Sequence, residues 1–88
     1  MTYKLVYKKL FKKKLKLLPK EIMFLVEHKV YKLKNFDIAK NVLDIKKLKW
    51  FDNLYRLRIW KYRVLFEKQD DKLVILLLDL GSRGDIYK

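Results

Sequence analysis

Apolar and polar residues alternate along TYKLVYK (2–8), where Tyr and Val are prominent, and this period of two predicts a short strand. The period then changes. In KKLFKKKLKLL (8–18), Phe11, Leu15 and Leu18 recur at i, i+4 and i+7, flanked by Leu10 and Leu17. That spacing marks one face of a helix, and lysines fill the other face. Pro19 breaks the pattern, and its missing N–H is harmless in the first turn of a second helix. That helix is expected from about Lys20 to Leu33, with Ile22, Val26, Val30 and Leu33 as its apolar stripe. Residues 8–33 therefore read as a helical hairpin. Residues 34–53 have no clean period and are punctuated by Asn and Asp, so a connecting segment is expected there, with a short strand or turn near 43–48.

Alternation returns in LYRLRIW (54–60) and again in YRVLFEK (62–68). QDD (69–71) reads as a turn. KLVILLLDL (72–80) is almost continuously apolar, which suits a central strand covered on both faces. Three strands so close in sequence predict an antiparallel meander. The fold class that follows is α+β: one compact domain, 1–88, in the order β-α-α-β-β-β. The helical hairpin should pack on one face of a twisted antiparallel sheet. There is no internal repeat, domain boundary or low-complexity segment.

Composition narrows the chemistry. The 88 residues include no cysteine, which excludes disulfides, thiolate zinc sites and thiol catalysis. His28 is the sole histidine and cannot build a metal cluster. The carboxylates are scattered, with no pair in the context of a glycosidase or metal site, and no cofactor is expected. The formal net charge of +13 favours a polyanionic partner. It also destabilises the fold through self-repulsion, which an acidic partner would offset. The longest uninterrupted apolar run, Leu73 to Leu78, is far too short to span a membrane, and no secretory signal is apparent. A cytoplasmic protein with no membrane partner is expected.

The two basic residue types are used differently. All 15 basic residues up to Lys49 are lysines, whereas the remaining 8 include every arginine, at 56, 58, 63 and 83. Side chains alternate faces along a strand. If Tyr55, Leu57 and Ile59 meet the helices, Arg56 and Arg58 point away from them. If Tyr62, Val64 and Phe66 do the same, Arg63 joins those arginines on the open face. An arginine fork grips phosphate bidentately, whereas lysine acts as a point charge, so the cluster points to a specific phosphate site.

Both glycines lie in the last eight residues, GSRGDIYK. Gly81 and Gly84 permit a sharp turn after the apolar strand. Such a turn would bring Arg83 and Tyr87 back beside the other arginines, with Ile86 as an apolar anchor. Trp60, at a strand end beside Lys61, is a candidate for stacking on a base. Trp50 is expected to pack under the connecting segment, and His28 to lie exposed or at the edge of the core.

The block YRLRIWKYRVLFE, a turn, an apolar strand and then LGSRGDIYK resembles the RelE/ParE superfamily of toxin–antitoxin toxins, and its RelE branch of messenger-RNA interferases most. The LPKE joint between the helices and the KKLK lead-in at 46–49 fit as well. The resemblance implies a metal-independent endoribonuclease that enters the ribosomal A site and cuts messenger RNA by attack of a 2′-hydroxyl on the adjacent phosphate. Arg56 and Arg58 would take the places of two basic strand residues, usually lysines, that act in proton removal and charge stabilisation. Arg63 would bind the reacting phosphate. Arg83 would stabilise the transition state or protonate the leaving group, and Tyr87 would stack on or orient the substrate nucleotide. Lys61 and Trp60 would contact RNA.

Arginine at both 56 and 58 leaves the general base open, because a guanidinium with pKa above about 12 is a poor one. Lys61, Tyr87 and a ribosomal group are the alternatives, beside catalysis by electrostatics alone. The implied partners are a RelB-like antitoxin, the ribosome and messenger RNA. Two rivals keep the fold or the charge: a ParE-like inhibitor of DNA gyrase, and an RNA- or ribosome-binding module without chemistry.

Overall fold

A computed structural model describes residues 2–82. The elements are β1 (Lys4–Tyr7), α1 (Lys9–Leu15), α2 (Lys20–Tyr31), a 3-10 turn (Lys32–Asn35), α3 (Phe36–Val42), β2 (Asp44–Lys47), β3 (Leu54–Ile59), β4 (Tyr62–Gln69) and β5 (Val74–Ser82). The strands form one five-stranded sheet in the order β1-β5-β4-β3-β2. β1 and β2 are consecutive in sequence yet lie at opposite edges. The helical segment between them must therefore cross the sheet, which is why helices cover one of its faces.

That crossing builds the core. Phe11 of α1, Val26 and Val30 of α2, Leu33 of the 3-10 turn, and Phe36 and Ala39 of α3 are buried. They meet Leu57 and Ile59 of β3, Val64 and Phe66 of β4, and Ile75, Leu77 and Leu80 of β5. The spacing of the last three is informative. Phe66 pairs with Leu77 whereas Leu65 pairs with Asp79, so β5 carries one extra residue at this point. The irregularity shifts the alternation and returns Leu80 to the core.

The α+β architecture expected from the sequence is present, with the helices packed on the sheet and β2-β3-β4-β5 as an antiparallel meander. Three particulars differ. The sheet is mixed, because β1 runs parallel to β5. A third helix, α3, occupies part of the segment expected to be irregular. Its Asn and Asp residues resemble turn punctuation, yet Phe36 and Ala39 still bury a face at i and i+3. Finally, β5 starts at Val74, and its outward Val74 and Leu76 are half-buried instead of fully covered.

One polar cluster ties the N-terminus to the β4–β5 turn. The Tyr3 hydroxyl donates to Asp70 Oδ1 at 2.6 Å, and Lys68 Nζ donates to the same oxygen at 2.6 Å. The Lys68 ammonium also lies 4.9 Å from the Phe36 ring centroid and 5.4 Å from that of Tyr3. The hydrogen bond from Lys68, followed by that from Tyr3, holds the Asp70 carboxyl below its ordinary value of 3.8. Burial alone would push the Lys68 ammonium down, but its hydrogen bonds to Asp70 and Tyr3 outweigh this and raise it.

Two predictions follow from the packing and from this cluster. Phe66→Ala should destabilise the fold by about 3–5 kcal/mol, read as a fall in the urea midpoint. For Asp70, the unfolded chain takes up its proton first as the pH falls, so the stabilisation is complete above about pH 5 and disappears below its depressed pKa. The Tm gap between wild type and Asp70→Asn should therefore be widest near neutrality and close on acidification below about pH 4. A gap that does not change with pH would show that the carboxylate charge is irrelevant.

Candidate phosphate-binding site

The one-sided core decides where the charges go. Leu57 and Ile59 are buried, so Arg58 between them, and Arg56 just before Leu57, face the open side of the sheet. Val64 and Phe66 are buried in β4, which turns Arg63 to the same side. Arg58 stands directly across from Arg63 in the β3–β4 ladder. On the other flank of β3, Lys46 stands across from Arg56 and Asp44 across from Arg58. A cleft of about 370 Å³ lies over this surface, lined by Arg56, Arg58, Arg63, Lys46, Lys47, Leu48 and Lys49.

The arginines differ in their partners. Arg56 Nη2 donates to Asp44 Oδ1 at 3.2 Å, and the Arg56 side chain is only 13% exposed, against 56% for Asp44. Arg58 Nε donates to the Trp60 carbonyl oxygen at 3.3 Å. Arg63 has no carboxylate partner among the described residues. Like charges placed directly opposite each other in an antiparallel ladder repel. An anion between Arg58 and Arg63 would turn that repulsion into two attractions. The arrangement is suited to gripping a phosphate with planar forks and to stabilising negative charge as it develops.

Trp60 and Lys61 form the two-residue turn between β3 and β4, outside the lining of the cleft. The Trp60 ring is 63% exposed and meets Tyr62 edge-on at 6.1 Å, with Lys61 Nζ 5.0 Å from its centroid. Its backbone has φ +56°, a conformation that costs a residue with a Cβ about 1–2 kcal/mol. Turns this tight normally take Gly or Asn where φ is positive. Trp50, expected beneath the connecting segment, is instead 84% exposed. The 48–54 connection carries it outward, where Lys49 Nζ lies 5.7 Å from its ring centroid. His28 is exposed on α2. Arg83 and Tyr87 lie outside the described residues.

Sequence reasoning brought the three arginines together but missed Lys46, Lys47, Lys49 and Asp44. KKLK (46–49) was visible as a run, yet four-residue β2 is too short for its alternation to assign faces. Only its register with β3 puts Lys46 beside Arg56. Larger hollows of about 490 and 520 Å³ lie beside the chain start, the first along β1 and the second over the segment from Tyr31 to Val42, but no carboxylate lines them and their cations are not opposed across a ladder. Among the described residues no group of His, Asp or Glu could hold a metal ion, and no helix is long and apolar enough to cross a membrane.

A family profile described as ParE toxin of type II toxin–antitoxin system, parDE, matches residues 5–87. A putative toxin RelE1 from Methanocaldococcus jannaschii is 36% identical over 76 residues, covering 86% of this chain and 84% of the relative. In the crystal structure of the archaeal RelE–RelB complex from Pyrococcus horikoshii OT3, one chain is similar at 30% identity with a TM-score of 0.82, over 97% of this chain and 99% of that one. A chain of the RelB–RelE antitoxin–toxin complex from Methanococcus jannaschii is also 30% identical, with a TM-score of 0.76 over 93% and 94% of the two chains. The chain belongs to the RelE/ParE family of toxins of type II toxin–antitoxin systems.

The Trp60 turn yields a stability test. Trp60→Gly removes the unfavourable positive φ while giving up a mostly exposed ring, so its Tm should equal or exceed that of wild type. A fall of more than about 5 °C, roughly 1 kcal/mol for a domain of this size, would mean that the contacts with Tyr62 and Lys61 outweigh the strain.

Proposed function

We propose that this toxin is a ribosome-dependent endoribonuclease that cuts messenger RNA in the A site and thereby stops translation. The observation that carries the reading is the opposed pair Arg58 and Arg63, joined by Arg56 in one basic cleft. The 2′-oxygen attacks the neighbouring phosphorus while the bond to the 5′-oxygen breaks. The 2′ proton goes to a base, and the leaving 5′-oxygen takes up a proton. The products are a 2′,3′-cyclic phosphate and a 5′-hydroxyl. Arg58 and Arg63 hold the phosphoryl oxygens as charge accumulates on them, and Arg56, steadied by Asp44, adds to the field. No step requires a metal.

Guanidinium groups remain charged and do not accept the 2′ proton. Lys46, which lines the cleft across the ladder from Arg56, is the side chain we assign to that role. Lys61 stands outside the cleft lining and serves RNA binding instead. Trp60, next to the turn that Arg58 braces, offers an indole face on which an adjoining base can stack. As the family resemblance implies, Arg83 stabilises the transition state or protonates the leaving group, and Tyr87 stacks on or orients the nucleotide. A RelB-like antitoxin neutralises the toxin. This is supported by the archaeal relatives, whose structures are RelE–RelB complexes, and by the high positive charge, which an acidic partner would offset.

A second reading has a specific observation in its favour: the matching family profile is that of ParE toxins, and a ParE-like protein would inhibit DNA gyrase on the same fold. The two separate in a translation reaction with purified ribosomes and a defined message, with ends mapped by primer extension. Wild type should give ribosome-dependent cuts at A-site codons. Arg63→Ala should lower the rate at least about 10²-fold. Lys46→Arg, which keeps the charge but not the proton acceptor, should lower it about 10²–10⁴-fold. Intact message together with inhibited supercoiling by gyrase would replace the nuclease with the ParE-like reading.

A further inference from the structure

Helix α1 carries a second basic surface that the cleft does not use. Between Lys4 and Lys20 the chain has eight lysines and no acid, and the first carboxylate is Glu21. Lys9, Lys12, Lys13 and Lys16 fall at i, i+3, i+4 and i+7, so they form one stripe on the side away from Phe11, the helix's buried residue. All four are exposed. Lys14, on the flank, pairs with Asp79 at 2.8 Å, whereas none of the four stripe lysines has a carboxylate partner among the described residues.

This stripe works against its own helix. Lys8 and Lys12, Lys9 and Lys13, and Lys12 and Lys16 are like charges at i, i+4. Lys8 and Lys9 sit at the positive end of the helix dipole, with no acidic residue in the first turn. Solubility alone does not call for a single-sign stripe of this density. The chemistry of the stripe also selects the partner. Lysine is depleted in protein–protein interfaces, whereas nucleic-acid interfaces are strongly positive. The stripe holds no arginine, so it offers point charges in place of bidentate forks. That suits a phosphate backbone held without regard to sequence.

Its position ties it to the cleft. The Lys8 amide donates to the Leu77 carbonyl, Lys14 meets Asp79, and Leu17 and Leu18 flank Gly81 and Ser82. Thus α1 runs beside β5 toward the sheet end where Gly81 pairs with Arg63. We propose that Lys9, Lys12, Lys13 and Lys16 form a docking face for the phosphate backbone of a folded RNA, distinct from the arginine cleft that holds the reacting phosphate. The inference deepens the reading of an RNA-directed toxin and rests on it for the partner class. Lysines anchor the toxin on structured RNA while arginines work on the strand to be cut.

The test compares K9Q/K12Q/K13Q/K16Q with a control of equal charge loss on other surfaces, K29Q/K32Q/K40Q/K72Q. Binding to purified ribosomes and to an RNA hairpin of about 30 nucleotides is measured across a salt series, alongside binding to poly-glutamate. The stripe variant should lower the slope of log K against log salt by about 3, as expected for about four lost phosphate contacts, and weaken RNA binding more than tenfold near 0.1 M salt. Its Tm should be no lower than that of wild type, because like-charge repulsion is relieved. The pair K12Q/K16Q should show about half the slope change. An equal loss in the control would mean that net charge alone is responsible and would overturn the proposal. Unchanged RNA binding with lost poly-glutamate binding would assign the stripe to an acidic protein. If the stripe variant loses RNA binding while wild type cuts no message, the docking face stands and the nuclease reading fails.

Discussion

A core on only one face of the sheet is the constraint from which the rest of this molecule follows. The chain enters at one edge strand and must reach the opposite edge before the meander begins. It crosses in helices, and these bury Phe11, Val26, Val30 and Phe36 against Leu57, Val64, Phe66 and Leu77. Because side chains alternate along β3 and β4, every residue between those apolar positions is directed to the other face. The arginines do not find one another by mutual attraction, since they repel. They are held together because burial of their neighbours stabilises the fold by more than their repulsion costs.

Charge is the second theme. A net charge of +13 on 88 residues is tolerated because most of it is spread over exposed lysines and screened by salt. The cleft differs in having cations opposed across a ladder, with Asp44, among the described residues, as the carboxylate bound to one of them. That local imbalance favours an anion over a cation at this surface. The Tyr3–Lys68–Asp70 cluster is a contrast. There a cation is enclosed by rings and paired with a carboxylate, and its role is to fasten the chain start to the β4–β5 turn.

Much of this could be read in the sequence because the signals were local. The Val26, Val30 and Leu33 stripe and the alternation of β3 and β4 each lie within a dozen residues, and the buried positions match them. α3 was not readable, because a seven-residue helix with two buried side chains leaves almost no periodic trace. The parallel pairing of β1 with β5 joins residues about seventy positions apart, which no local pattern encodes. Trp50 was misplaced for a related reason: a large apolar ring suggests burial, but only the path of the 48–54 connection decides whether a surface is there to bury it.

By itself, the sequence determined the class of fold, which residues are apolar on which strand face, and the segregation of arginine from lysine, because alternation and composition are properties of the chain. Tertiary structure alone decided the company the arginines keep. Lys46 and Asp44 stand beside Arg56 and Arg58 through the register of β2 on β3, and Arg63 faces Arg58 through that of β4 on β3. Register is set by backbone pairing between strands and by the core they share. A one-residue slip would move every charge to the opposite face.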